Sequence, residues 1–256
     1  MNAMRKNRKS KIFGIFGPKM ATPASVIDEA FSVLPSERKT PLHIKSNFSG
    51  LIEELEHGAH SIYRNYETRV GAESLFKFFG LDEAIPVPLK FAELFKESFE
   101  ELNLFFLSLA QSRKSRAGKA FEVIIKRLFK SLDYPFDEQV VINGKPDFLL
   151  PSEKHYRVHA PDCIIFTAKR TLRERWRQIV TEGIRGLAFY LATIDEKVTE
   201  NALAEMKANR IYLVVPMQLK KSIDHYTEAP NVLTFETFFK QHLDPAMQRW
   251  KENSVI

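Results

Sequence analysis

The sequence predicts an α/β fold: a mixed β-sheet with helices on its faces and a helical N-terminal part. Three observations carry this. Helical apolar periodicity dominates positions 24–110. An Asn-Gly pair at 143–144 stands between two short strand-like runs. Beyond it, two apolar, β-branched runs, Cys163–Thr167 and Arg210–Val215, alternate with helical segments. At 256 residues, 44% apolar and 27% charged, the chain can bury a proper core and has a globular composition. A single cysteine, Cys163, excludes an internal disulfide and a cysteine-based zinc cluster. The longest apolar run, Ile211 to Met217, is far below the roughly 18 residues of a membrane span. The apolar patch Ile12–Phe16 is too short and too Gly-broken for a signal peptide. A soluble cytoplasmic protein with no membrane partner is expected.

In chain order, residues 1–11 are basic, polar and aperiodic, as in a mobile arm. Leu51, Leu55 and Ile62 mark one helical stripe, and Phe91, Leu94, Phe95, Phe99 and Leu102 another, with Gly80, Pro86 and Pro88 between them. The α/β core is expected over 111–245. Phe121, Ile124, Ile125, Leu128 and Phe129 form the apolar face of its first helix. Gln139–Ile142 reads as a strand, Asn143-Gly144 as a tight turn and Asp147–Leu150 as the returning strand. Cys163–Thr167 reads as a buried central strand, and 172–191 as a helix with Leu172, Trp176, Ile179, Leu187 and Tyr190 inward. Arg210–Val215 is a strand ended by Pro216, Lys220–Tyr226 lies in a short helix, Val232–Thr234 is a last strand and Phe235–Leu243 a helix. With no convincing linker, 1–256 is read as one domain.

Charge is concentrated. Residues 111–130 carry seven basic side chains and one acid, and 169–177 five and one, so these 29 residues hold +10 of a net +6. The other 227 therefore carry −4. Such concentration suits a polyanion, nucleic acid foremost, although solvated helical faces would look the same.

One constellation can carry chemistry. Pro146-Asp147 opens the return strand, Lys169 ends the next strand 22 residues later, and Glu182 follows 13 residues beyond on the expected helix. Adjacent strands can set Asp147 beside Lys169 at a sheet edge, and a helix packed over the sheet can bring Glu182 to the same point. Two converging carboxylates repel unless a divalent cation neutralises them, and hard oxygen ligands suit Mg²⁺. A neighbouring lysine can orient water and stabilise charge on phosphorus oxygens. Taken singly, each residue is also an ordinary turn, edge or surface charge. Arg173-Glu174-Arg175 follows closely. Arginine forks match guanine O6 and N7, and glutamate accepts from cytosine N4, so this triplet can read two successive G·C pairs.

Lys-Pro-Asp147, Thr-Ala-Lys169 and Glu182 together resemble the PD-(D/E)XK nucleases, and more narrowly the type II restriction endonucleases of the EcoRII and PspGI kind. In that branch the acid two residues before the lysine is absent, its role taken by a helix glutamate; here Thr167 stands in that place. The stretches Ser115–Glu122 and Phe166–Gly183 match the branch best. The resemblance implies a restriction-endonuclease-like core, with metal held by Asp147 and Glu182 and Lys169 assisting the attacking water. It further implies that Glu122 supports the site from the preceding helix and that Arg173, Glu174 and Arg175 read a CC/GG half-site. Arg113, Lys114, Arg116 and Lys119 suit phosphate contacts. Base flipping in the family makes Tyr63 and Tyr66 candidates for stacking, against the commoner role of core aromatics.

The expected activity is Mg²⁺-dependent hydrolysis of double-stranded DNA at a palindromic site of CCNGG or CCWGG type by a homodimer. The alternatives are a repair or structure-specific nuclease of the same fold, disfavoured by the Arg-Glu-Arg triplet, and a non-cleaving DNA-binding module, disfavoured by Asp147, Lys169 and Glu182 together.

Overall fold

The computed structural model describes residues 11–80, 97–142, 144–172 and 188–256. Helices fill its first part: α1 (Lys11–Phe16), α2 (Pro23–Ser32), α3 (Pro41–Ser46), α4 (Phe48–Phe79) and α5 (Phe99–Ser131). Local chemistry fixes their starts. Thr22 and Thr40 accept from backbone N–H groups three residues on, and each is followed by a proline at the first helical position. α4 ends where Gly80 adopts a left-handed conformation (φ 63°) that closes its last carbonyls. Lys11, expected in the arm, instead opens α1. Ile12 and Phe16 of that helix are fully buried against Val70 and Phe105, so the patch is a packing surface. The stripe residues Phe91, Leu94 and Phe95 lie outside the described residues. The composition changes near position 110, yet α5 runs unbroken through it.

Among the described residues the sheet has six strands in sequential order: β1 (Asp137–Glu138), β2 (Phe148–Leu150), β3 (Ile164–Ala168), β4 (Phe189–Ala192), β5 (Ile211–Val215) and β6 (Val232–Thr234). The first three are antiparallel and β3 to β6 are parallel. Helix α6 (Glu153–His159) joins β2 to β3, and α7 (Glu200–Ala208) leads into β5. Two short helices, α8 (Met217–Ser222) and α9 (Asp224–Glu228), cover the passage to β6. Helix α10 (Phe235–Phe238) passes through a π-helical turn, Phe239–Leu243, into α11 (Asp244–Glu252).

Three expectations are corrected. The expected helix over 172–191 does not reach its end, because Phe189–Ala192 is strand β4, buried between two parallel neighbours. A strand covered on both faces shows no alternation, so a short apolar run resembles a helix segment. The hairpin's first strand is Asp137–Glu138 rather than Gln139–Ile142. Gln139 turns to φ 56°, its N–H donating to the Asp147 carbonyl at 3.3 Å, and an isolated bridge, Ile142 to Gly144, closes the turn. The helix expected over Lys220–Tyr226 is two helices separated at Ile223.

Alternation along β3 divides the core. Ile164, Phe166 and Ala168 join the large cluster containing Phe48, Phe121, Phe129, Phe148, Phe235 and Trp250. Ile165 faces the other way, with Leu149 and Cys163. Phe129 of α5 is the hub of the first cluster, with ring centroids 5.3 Å from Phe166, 5.7 Å from Phe148 and 5.9 Å from Phe48. This packing joins the N-terminal helices to the sheet.

Candidate active site

The register of β2 on β3 builds the site. Phe148 pairs with Phe166, so Asp147 stands opposite Thr167. Period-two alternation then puts Asp147, Thr167 and Lys169 on the face away from Phe129. The Thr167 hydroxyl accepts from the Asp147 N–H at 3.4 Å. At the position where an acid was absent, the side chain thus fixes the backbone of the neighbouring aspartate.

Asp147 is buried, and both of its carboxylate oxygens are engaged. Oδ2 accepts from the Lys169 ammonium at 3.0 Å and from the Ala168 N–H at 2.9 Å. Oδ1 accepts from the Gln139 amide at 3.0 Å. The Lys169 side chain is one-third exposed, and its backbone N–H donates to the Ala192 carbonyl at 2.9 Å, extending the β3–β4 ladder. The expected pair is therefore brought together, an ammonium at the edge of the surface over a buried carboxylate. Asp147 presents hard oxygens with lone pairs beyond the three bonds counted, and this donor chemistry fits Mg²⁺. Among the described residues no group of three or more His, Cys, Asp or Glu side chains forms a metal site. Glu182, expected as the second ligand, lies outside the described residues, as do Arg173, Glu174, Arg175 and Trp176.

Glu122 sits on α5, mostly shielded, and is ion-paired to Lys119 three residues earlier. Arg113 and Arg116 both meet Glu67 of α4, whose carboxylate is mostly buried. Arg113 Nε donates to it at 2.9 Å, and Arg116 Nη2 at 2.8 Å. Arg116 also donates to Ser112 at 2.7 Å and lies 5.3 Å over the Tyr63 ring. Of the four basic residues expected to contact phosphate, Arg116 is therefore a packing residue in this state, and Arg113, 59% exposed, is the freer arm. Tyr63 is buried with one ring face covered by Arg116, so it offers no open platform for a base. Burial pushes its phenol up to about 12, against the opposing charge of Arg116. Tyr66 is half-exposed, with the Arg69 guanidinium 5.1 Å over its ring.

Several site residues carry no sequence signal. Gln139 meets Asp147 only through its left-handed turn. Arg170, next to Lys169, reaches back to Glu56 of α4 at 3.2 Å. Burial raises the Glu56 carboxyl above the ordinary range, opposed by the Arg170 charge. Acids 114 residues away in sequence are invisible to motif reading. No helix among the described residues is long and apolar enough to cross a membrane.

The family model described as EcoRII C terminal matches residues 79–239, which takes in the whole β2–β3 site. The chain is 32% identical over 162 residues to the type II restriction enzyme SsoII of Shigella sonnei, covering 58% of this chain and 52% of that protein. It is 36% identical over 135 residues to the type II restriction enzyme EcoRII of Escherichia coli, covering 48% of this chain and 32% of that protein. It thus spans about half the length of the first relative and a third of the second. Among solved structures, metal-depleted Ecl18kI in complex with uncleaved DNA superposes with a TM-score of 0.79 at 26% identity, over 94% of this chain and 84% of that one. The PspGI–substrate DNA complex superposes with a TM-score of 0.65 at 23% identity, over 93% and 96%, which shows a shared fold. With the match extending over more than half of its residues and enclosing the Asp147–Lys169 pair, this chain belongs to the EcoRII C-terminal family.

Proposed function

We propose that the protein is a type II restriction endonuclease that hydrolyses double-stranded DNA at a palindromic site with a CC…GG core, with Mg²⁺. The observation that carries this is the Asp147–Lys169 pair held across β2 and β3, in a chain of this family. Asp147, with Glu182 from the next segment, would hold the metal. A divalent ion held there would supply charge neutralisation at the carboxylates and a lower pKa for a neighbouring water. Lys169 has three N–H donors, of which Asp147 takes one, leaving two for the attacking water and a phosphate oxygen. The attacking water gives up a proton to bulk solvent as its oxygen bonds to phosphorus opposite the 3′ oxygen, and the P–O3′ bond breaks. The leaving oxygen takes up a proton, giving a 5′ phosphate and a 3′ hydroxyl with no covalent enzyme intermediate.

Arg173, Glu174 and Arg175 carry donor and acceptor patterns for two G·C pairs, and a palindrome calls for a two-fold dimer with one strand cut per subunit. Glu122 is assigned to support the site, and Arg113, Lys114 and Lys119 to the DNA backbone. The core shared between helices and sheet supports one endonuclease domain; a restriction enzyme would act in the cytoplasm. The test is incubation with unmethylated phage DNA, with Mg²⁺ or with EDTA, followed by sequencing of the fragment ends. Discrete ends at CC…GG sites with Mg²⁺ alone are expected. Binding without cutting supports a non-cleaving module, and random nicking overturns the assignment of the Arg-Glu-Arg triplet.

A further inference from the structure

Three residues, Arg170, Thr171 and Leu172, connect Lys169 to Arg173. They are held at several independent points, all reaching elements far away in sequence. The Arg170 carbonyl accepts from the Thr193 hydroxyl at 3.3 Å, and its guanidinium meets Glu56. The Leu172 N–H donates to Asp195 Oδ2 at 2.8 Å, and its side chain is buried beside Leu191, Val198 and Leu203. Asp195 is itself fixed by every polar group it has. Its Oδ1 accepts from the Lys197 N–H at 3.0 Å, its N–H donates to Thr193 Oγ1 at 3.1 Å, and its carbonyl accepts from the Tyr226 hydroxyl at 2.6 Å. Tyr226 is buried and accepts in turn from the Val198 N–H at 3.1 Å. Water could satisfy the Leu172 N–H equally well as a hydrogen-bond partner, but it would not hold the Leu172 backbone against the turn after β4. A carboxylate locked into the turn after β4 does.

We propose that Asp195 is a positioning residue for sequence recognition: it clasps Leu172, the last residue of the connector between Lys169 and the triplet that begins at Arg173. This rests on the reading of Arg173-Glu174-Arg175 as the base-reading group. Bidentate readout depends on placement to a few tenths of an ångström, so loosening its root lowers discrimination before it lowers chemistry.

The test compares D195A, D195N and T199A with wild type. Cleavage of a duplex carrying the mapped site is measured against duplexes with one base pair changed in either CC/GG arm. T199A removes the N-cap of α7 without touching the clasp, and so controls for stability lost nearby. The expected result for D195A is a drop of about tenfold or more in cognate-to-altered kcat/KM, with the cognate rate at saturating DNA reduced much less. D195N, which keeps one acceptor oxygen, falls between D195A and wild type, and T199A keeps full discrimination at a similarly lowered Tm. Equal loss on all duplexes for D195A, or the same loss for T199A, overturns the proposal. A parallel R173A variant separates the two failures: if it leaves site preference unchanged, the triplet reading has failed and the inference falls with it.

Discussion

Replacing Arg116 by alanine separates packing from DNA contact in the basic segment of α5. Arg116 loses a charge-assisted bond to Glu67 at 2.8 Å, a bond to Ser112 at 2.7 Å and a position 5.3 Å over the Tyr63 ring. A bond to a charged group contributes about 1.5–3 kcal/mol and a cation–π contact about 0.5–1 kcal/mol. Glu67 keeps Arg113, so no carboxylate is left without a partner, and the lower half of that range applies. A net loss of about 2–3 kcal/mol corresponds to a Tm drop of roughly 5–10 °C for a chain of this length. Arg113 shares the same carboxylate, but its side chain is 59% exposed. Its exposed pair contributes about 0–1 kcal/mol, so R113A lowers Tm by about 3 °C at most. The order reverses in DNA binding: R113A lowers the slope of log K against log salt by about 0.9, the signature of one lost phosphate contact. Calorimetry and salt-titrated binding of both variants provide the check. An R116A protein that melts with wild type would refute the packing argument.

Other outcomes follow from the same geometry. F129A removes the aromatic hub between α5 and β3 and should cost about 3–5 kcal/mol, read as a Tm lowered by roughly 10 °C or more. T167V deletes the hydroxyl that accepts from the Asp147 N–H; it should cost about 1 kcal/mol of stability and lower cleavage rate more than DNA affinity. Burial lowers the pKa of His242, which shares a 2.9 Å hydrogen bond with the Tyr190 hydroxyl. Below the ordinary value of 6.5 the unfolded chain takes up a proton that the folded one refuses, so stability falls as pH drops from there toward the folded value. In H242Q that slope of Tm against pH should flatten, and an unchanged slope would place its source elsewhere.

The half of the site that lies on local pattern was legible in the sequence. Asp147 and Lys169 sit at the ends of short strands, and the antiparallel register of β2 on β3 makes them neighbours. What sequence does not carry is the third dimension of that neighbourhood. Gln139 reaches Asp147 from a left-handed turn, while Glu56, Thr193 and Asp195 close on the Lys169–Leu172 connector from α4 and the end of β4. Strand β4 was hidden because Phe189–Ala192 is covered on both faces and continues the apolar spacing of the segment before it. The change of composition at 111 does not coincide with the end of an element, since the basic stretch begins in the middle of α5. The basic residues of that stretch look alike in sequence; Arg113 and Arg116 both reach Glu67, and it is the Ser112 hydroxyl and the Tyr63 ring that tell the packed Arg116 from the exposed Arg113.

In the proposed mechanism Lys169, seated on Asp147, assists hydrolysis. Single-turnover cleavage of a duplex carrying the mapped site, with K169A in excess over DNA and Mg²⁺ present, tests it most directly. Binding within a few-fold of wild type is expected, with a cleavage rate lower by about 10²–10³-fold, the range for loss of one preorganised donor at the developing charge. Cleavage within tenfold of wild type would contradict it.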